Sequence, residues 1–237
     1  MDIKYMIEIL PRFISVIPVT ALIITAAAVL GLILSIAVTI VRLKKIPVLS
    51  TLAEIYISFS RSIPILLQLF LFYFGLPVLF QQFGINVTAV EAVFAAVLCL
   101  IIYNGAYMSE ILRPAFLSLD RGQMEAADSL GYTPFQKFRK IILPQVTPVA
   151  LPGIGNAVIH LIHDSSLVFA IGVVDIMGLA NIIGAESYGL YQLEVFLAVA
   201  LIYWVISMIS EQIIKYLENR RSKSISYHQN TVNEEAN

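Results

Sequence analysis

The chain has 237 residues, of which 59% are hydrophobic and 13% are charged, whereas a soluble domain carries about 25% charged residues. This balance is typical of an integral membrane protein, and a net charge of −1 argues against a basic surface for nucleic acid. The single cysteine, Cys99, cannot form an internal disulfide or a thiolate metal cluster, and we predict that it is a buried hydrophobic residue.

The N-terminal segment, residues 1–15, precedes the first long apolar run and contains the charged residues Asp2, Lys4, Glu8 and Arg12. The run that follows is longer than the apolar core of a secretory signal, which has about 7–15 residues. We therefore expect an interfacial segment followed directly by a membrane span.

Five stretches of the chain are long and apolar enough for helices that cross a bilayer, which need about 20 residues. The predicted spans are residues 16–40, 62–82, 89–109, 146–163 and 195–216. Since spanning helices satisfy their own backbone hydrogen bonds in lipid, we predict an all-α membrane domain over residues 16–216. Residues 164–194 are apolar but interrupted by glycines, and we expect a re-entrant or partly buried helix there, not a sixth span.

Basic residues are concentrated on one side of the predicted bundle. Segments 42–61, 110–140 and 215–223 contain thirteen of the fifteen Lys and Arg residues, and only Lys4 and Arg12 lie on the other side. By the positive-inside rule the N-terminus is outside the cell and the C-terminus is in the cytoplasm. The polar tail, residues 217–237, is then cytoplasmic, and we expect it to be disordered.

The longest connection on the basic side, about residues 110–145, carries signals that start and stop helices. These signals are an Asp120–Gln123 capping box, a glycine at position 131 that can end a helix in the left-handed conformation, and a Thr133–Gln136 capping box with Pro134 between them. The pattern predicts two short helices joined by a tight glycine turn.

This connection also carries a recognisable motif. The segment EAADSLGYTPFQKFRKIILP, residues 125–144, resembles the EAA motif of ABC importer permeases and matches it at Glu125, Ala126, Ala127, Gly131, Ile141, Leu143 and Pro144. Residues 60–77 (SRSIPILLQLFLFYFGLP) and 144–167 (PQVTPVALPGIGNAVIHLIHDSSL) are similar to the second and fourth spans of the polar-amino-acid, binding-protein-dependent permeases. The chain departs from that family at Ser62-Ile63-Pro64, where Gly-Thr-Pro is usual, and at His163, where lysine is common.

The resemblance implies a type I importer permease with five spans that translocates an amino acid or a derivative of one. Glu125, Ala126, Ala127 and Gly131 would form the cytoplasmic coupling helix and its turn. The implied partners are a separate ATPase subunit that binds ATP and Mg²⁺, an extracellular solute-binding protein, and a second permease that is a copy or a homologue. The chain would have no cofactor of its own and would not be an enzyme, and its sequence lacks the phosphate-binding pattern G-x-x-x-x-G-K-S/T.

Polar residues within the predicted spans are candidates for a substrate pathway. Asn156, His160 and His163 are spaced four and three residues apart and share one helical face, with Asp164 beside it. Polar groups at membrane depth face a pathway or form hydrogen bonds between helices, and a metal site is the weakest interpretation. Gln68 and Asn104 are further pathway candidates, and Glu110 with Arg113 is expected to be a local ion pair.

Two other classes of protein compete with the importer. An ion-coupled secondary transporter or channel would often show internal repeats, and none is convincing in this sequence. An intramembrane metalloenzyme would need a motif such as His-Glu-x-x-His, which the sequence lacks. Neither class accounts for the EAA-like segment.

Overall fold

The computed structural model describes residues 2–85 and 90–235, with side chains through residue 220. The elements in these ranges are helices. They are α1 Ile3–Ile14, α2 Ile17–Leu43, α3 Leu49–Ser62, α4 Ile65–Gln82, α5 Ala92–Leu117, α6 Arg121–Ser129, α7 Pro134–Lys137, α8 Leu143–Ser165, α9 Ile176–Glu186 and α10 Gln192–Glu235. A π-helical turn, Phe138–Ile142, joins α7 to α8, and a 3₁₀ turn, Val168–Ile171, follows α8.

Within the described residues, five helices are long and apolar enough to cross a membrane, as the sequence predicted. They are α2, α4, α5, the continuous helix Pro134–Ser165, and the part of α10 that ends at Arg220. The helix α9 has 11 residues and a length of about 16 Å, so it is too short to span. It is partly buried, as expected for residues 164–194, and Ile176 and Ile183 are fully covered.

The third span is longer than predicted because Glu110 does not mark its end. Glu110 accepts hydrogen bonds from Arg42 of α2 and from Arg61 of α3, the latter at 3.1 Å. The expected local pair with Arg113 was therefore wrong. With its charge compensated by two arginines, the carboxylate can remain within α5, which continues to Leu117 and shortens the connection to residues 118–133.

The helix α3 was not predicted, because it is short and amphipathic and contains the charged residues Glu54 and Arg61. It packs against α5, where the Tyr56 hydroxyl donates a hydrogen bond to the carbonyl oxygen of Ile102. The chain then breaks at Ser62-Ile63-Pro64 and continues as α4. Proline explains the break, since its ring disfavours helical geometry in the residue before it.

Small residues allow α2 and α5 to pack closely at the centre of the bundle. The buried positions Ala27, Gly31, Ser35 and Thr39 recur every fourth residue along α2 and so form one stripe. On α5, Gly105 faces this side: a Cβ atom there would lie 2.9 Å from Leu34 Cδ2 and 3.1 Å from the Tyr56 hydroxyl. Small residues at helix interfaces are the usual basis of tight packing in membranes.

The N-terminal helix α1 packs against α10 and α9. Its buried residues are Ile9 and Phe13, and Ile3, Ile7 and Ile14 are exposed, as lipid-facing residues of an interfacial helix would be. Arg12 donates two hydrogen bonds to Glu186, at 2.9 and 3.2 Å. Because of these bonds, the pKa of the Glu186 carboxyl is lowered from its usual value.

The polar tail does not match the expected disorder. The last helix, α10, continues through Glu235, well beyond the membrane-spanning part. Residues 217–235 contain no proline or glycine, so the sequence has no residue that would stop helix propagation from the span.

The packing of α3 and α2 against Gly105 leads to a stability prediction. Gly105→Val should lower the melting temperature of the purified protein in detergent, at a cost of about 1–3 kcal/mol for overpacking a close contact. Gly75→Val is the matched control, because a Cβ atom at Gly75 meets no atom within 4 Å. Equal melting temperatures for the two variants would contradict the close packing at Gly105.

Candidate functional site

A cleft of about 450 Å³ lies between α5 and α8. Its polar lining comes from Tyr103, Asn104 and Tyr107 on α5 and from Asn156, His160 and Asp164 on α8. The two helices therefore each contribute one polar face, and the lining combines amides, phenols, an imidazole and a carboxylate. Such a mixture can bind both an ammonium and a carboxylate group.

Four of the predicted pathway residues, Asn104, Asn156, His160 and Asp164, meet at this cleft. Asn104 is 3% exposed and contacts the sulfur of Met108 at 3.6 Å. Its fixed position follows from the packing of α2, since a Cβ atom at Gly31 would lie 3.3 Å from Asn104 Nδ2.

The other two candidates do not line the cleft. His163 lies on a different side of α8, where its Nε2 is 3.2 Å from the Ser207 hydroxyl of α10. Gln68 is fully buried, and its amide donates to the carbonyl oxygens of Ser60 and Ile63 at 2.8 and 2.7 Å. Gln68 thus satisfies backbone acceptors at the break between α3 and α4, and its side chain is not available to a substrate.

Glycines in α8 give this helix its position between α5 and α10. A Cβ atom at Gly153 would overlap the Ile111 side chain of α5, and one at Gly155 would overlap Ile214 of α10. The helix can therefore approach both neighbours closely, and this approach brings Asn156 and His160 to α5.

Tyr103 and Tyr107 line the cleft but were not predicted from the sequence. Their rings are 4.8 Å apart between centroids and lie on the same face of α5 as Asn104. The four-residue spacing of two tyrosines and the polar Asn104 between them were the available signal. Among the described residues, no group of three or more His, Cys, Asp or Glu side chains comes together as a metal site would require.

The connection between α5 and α8 forms the predicted helix, turn and helix. Asp120 caps α6 by accepting from the Gly122 amide at 2.8 Å, but Gln123 does not complete the expected box and instead accepts from Gln145 at 2.6 Å. The amide oxygen of Gln123 does not complete the capping box because it accepts this hydrogen bond from Gln145, which lies at the start of α8. The second box is complete: Gln136 N donates to Thr133 Oγ1, and Thr133 N donates to Gln136 Oε1.

The turn after α6 is built on Gly131, whose φ is +72°. The Tyr132 amide donates to the carbonyl oxygen of Ala127, and the Gly131 amide donates to that of Asp128, both at 3.0 Å. This pair of bonds is a Schellman motif, which ends a helix at a left-handed residue. Lys137 donates to Asp128 at 2.5 Å and ties α7 to α6.

The residues of the motif have different exposures. Glu125 and Ala126 are exposed, and Ala127 is buried. Two large apolar side chains that flank the turn are exposed: Leu130 is 74% exposed and Phe135 is 69% exposed. Leu130 lies outside the spanning helices, whereas Phe135 lies in the first turn of Pro134–Ser165. Lipid therefore does not account for the exposed apolar side chain of Leu130.

Comparison with known proteins gives a consistent result over nearly the whole chain. Residues 29–223 match the family described as binding-protein-dependent transport system inner membrane component. The chain is 41% identical to a probable amino-acid ABC transporter permease, PatM, of Vibrio harveyi, over 94% of this chain and 97% of that protein. It is 35% identical to the L-cystine transport system permease TcyL of Bacillus subtilis (strain 168), over 94% and 92% of the two chains.

Two solved structures have the same fold. The chain is similar to the crystal structure of an amino acid ABC transporter with histidines, with a TM-score of 0.78 and 31% identity over 93% of this chain and 99% of that one. It is also similar to an inward-facing MetNI methionine ABC transporter, with a TM-score of 0.64 and 19% identity over 91% and 99% of the two chains. The second likeness is one of fold alone.

Proposed function

The chain belongs to the family of binding-protein-dependent transport system inner membrane components, and from this membership we propose that it conducts an amino acid through the cleft between α5 and α8. The observation that carries the proposal is the meeting of Asn104, Asn156, His160 and Asp164 in one cleft. Relatives named as amino-acid and cystine permeases, and a similar structure that contains histidines, support an amino acid or a close derivative as the substrate. The secondary-transporter and metalloenzyme alternatives are not supported by this family membership.

The chemistry of the cleft fits a zwitterion. Asp164 can pair with the ammonium group, and His160 and the amide of Asn156 can donate hydrogen bonds to the carboxylate. Tyr103 and Tyr107 offer ring faces beside them, which can contact a side chain of varied size. Specificity among amino acids would then depend on the apolar and aromatic wall of the cleft.

The proposed assembly has three kinds of partner. A solute-binding protein delivers the amino acid on the outer side, a second permease completes the membrane part, and a separate ATPase binds ATP and Mg²⁺. The α6 helix and its turn, with Glu125, Ala126 and the exposed side chains of Leu130 and Phe135, form the surface that docks on this ATPase. The exposure of Leu130, which lies outside the spanning helices, supports a protein partner at this surface.

We also propose an orientation in the membrane, which is based on the positions of the basic residues. The proposed outer side carries the N-terminus, α1 and α9, and the proposed cytoplasmic side carries α6 and the C-terminus. This places the coupling surface where ATP is available.

The role of the cleft leads to a prediction with a matched histidine control. His160→Leu should raise the KM for uptake by about tenfold, the loss expected for one hydrogen bond to a charged group. His163→Leu should leave the KM near its original value, because His163 faces Ser207. The KM of each variant is measured from uptake by the reconstituted transporter at a range of concentrations of its substrate-saturated binding protein. An equal change in the two variants would contradict the assignment of the cleft.

The glycine turn leads to a prediction about coupling. Gly131→Val should weaken association with the ATPase and reduce uptake, because a β-branched residue is strongly disfavoured at positive φ. Gly131→Asn is the control, since asparagine tolerates this conformation and a Cβ atom at this position meets no atom within 4 Å. Glu125→Ala leaves the turn intact and should reduce substrate-stimulated ATP hydrolysis with a smaller loss of association.

Co-purification of the ATPase and ATP hydrolysis, measured at equal membrane levels of each variant, test these expectations. Association and hydrolysis that stay normal in both Gly131→Val and Glu125→Ala would show that α6 and its turn are not the coupling surface. The family assignment would remain, but the proposed mechanism of coupling would be wrong.

The orientation is tested by a reporter fused after Asn237. We expect modification of the reporter only in inside-out vesicles, because the C-terminus is proposed to be cytoplasmic. A reporter that is modified only from outside intact cells would reverse the proposed topology.

A further inference from the structure

A second polar cleft adjoins the first on the basic side of the bundle. It has a volume of about 500 Å³ and is lined by Arg42, Glu54, Ser58, Arg61, Ser62 and Tyr107, among others. Tyr107 also lines the first cleft. The two clefts therefore meet at one side chain, which presents one part of its surface to the proposed amino-acid site and another to the arginine-lined cleft.

Tyr107 is held by residues on both sides. The Arg61 guanidinium lies over its ring, 5.6 Å from the centroid, which is within the range of a cation–π interaction. The ring of Tyr103, one turn earlier on α5, is 4.8 Å away. The side chain is thus fixed between an aromatic neighbour at the first cleft and a cation at the second.

Arg61 is in turn fixed by Glu110, one turn after Tyr107 on the same helix. Its Nη1 donates to Glu110 Oε2 at 3.1 Å, and Arg42 binds the other carboxylate oxygen. Arg42 is at the end of α2, Arg61 is at the end of α3, and Glu110 is on α5. The position of the Tyr107 ring therefore depends on how α2, α3 and α5 are arranged.

We propose that Tyr107 is the movable wall between the amino-acid site and an exit cleft on the cytoplasmic side, and that Arg61, positioned by Glu110, holds this wall closed. The proposal rests on the function proposed above for the first cleft. Withdrawal of α3 from α5 would remove the cation from the ring, free the Tyr107 side chain to rotate, and join the two clefts. Glu110, which is itself bound by Arg42, positions Arg61 in this arrangement, and Tyr107 would be the first residue of the exit cleft that the amino acid contacts as it leaves.

The cation–π contact has a suitable strength for such a role. Arg61 has 46% of its side chain exposed, so its interaction with the ring is one of the weaker, solvated kind. A contact of this strength can bias the closed state and still be broken in every transport cycle. A buried ion pair alone would resist separation more strongly.

The proposal is tested by the access of a thiol reagent to the first cleft. Ala157 lines that cleft and is not one of its polar groups, so Ala157→Cys in a Cys99→Ser background provides a reporter. Inside-out vesicles that contain the whole transporter, with its ATPase and without nucleotide, are treated with a membrane-impermeant maleimide, and the rate of modification is measured.

We expect Tyr107→Ala to raise the rate of modification by about tenfold, because it removes the wall and shifts the population to an open path. Tyr107→Phe is the matched control and should keep the original rate, because it retains the ring and the cation–π contact. Arg61→Gln, which lies outside the first cleft, should raise the rate by about threefold through loss of that contact. Rates in Tyr107→Ala and Arg61→Gln equal to that of Tyr107→Phe would overturn the proposal.

A second variant and a protection measurement distinguish the possible outcomes. If Tyr107→Ala does not reach the membrane at the level of Tyr107→Phe, the rate in Arg61→Gln decides between the outcomes. Protection of the reporter by the amino acid, delivered by binding protein enclosed in the vesicles after ATP and Mg²⁺ are added, tests the first cleft separately. An unprotected reporter with the expected order of rates would disprove the substrate site and support the wall, whereas a protected reporter with equal rates would do the opposite.

Discussion

The close approach of α2 and α5 is the constraint on which the rest of the bundle depends. Lipid is as apolar as a leucine side chain, so helices in a membrane gain little from burying hydrophobic surface and associate through close packing and hydrogen bonds. The stripe of Ala27, Gly31, Ser35 and Thr39 on α2 and Gly105 on α5 supply that packing. With α5 held in this way, Asn104 packs against Gly31. The rotation of α5 about its own axis is thereby fixed, and so is the direction in which its polar face points.

The cleft follows from this fixed face and from a second close approach. The α8 helix reaches α5 through Gly153 and α10 through Gly155, and its polar residues then meet those of α5. Charged groups within a membrane are costly unless they are paired or hydrated. Glu110 is paired with Arg42 and Arg61, whereas Asp164 faces the cleft without such a partner among the ion pairs of the described residues. The contrast separates a charge that holds helices together from one that lines the cleft.

The sequence predicted those features whose causes are local. The spans were predictable because lipid requires a run of residues without charge, and the turn at Gly131 was predictable because its capping residues lie within a few positions of it.

The contacts of Glu110, Gln68 and His163 were not predicted, because each has a partner or an orientation set by another helix. The pairing of Glu110 with Arg42 joins residues 68 positions apart, and no local pattern predicts it. The helix α3 was missed because its charges resemble those of a loop. The four-residue spacing of small residues on α2 and of the tyrosines on α5 was visible in the sequence and would have located both the packing stripe and the missing wall of the cleft.

The path from the coupling turn to the cleft is one continuous helix, Pro134–Ser165. Thr133 caps its first turn, and His160 lies about 40 Å further along its axis at the usual rise per residue. In the proposed coupling, a displacement of α6 would pass to this helix through the Gly131 turn and the bond from Lys137 to Asp128. The π-helical turn at Phe138–Ile142 interrupts the α-helical hydrogen bonding on this route, and such turns often occur at functional positions and mark places where a helix can bend. In the proposed mechanism, α8 carries motion to one side of the cleft, while the α5 backbone on the opposite side stays fixed by its packing against α2 and only the Tyr107 side chain moves. Relative movement of two such walls, one mobile and one fixed, is sufficient to change the shape of the site between them.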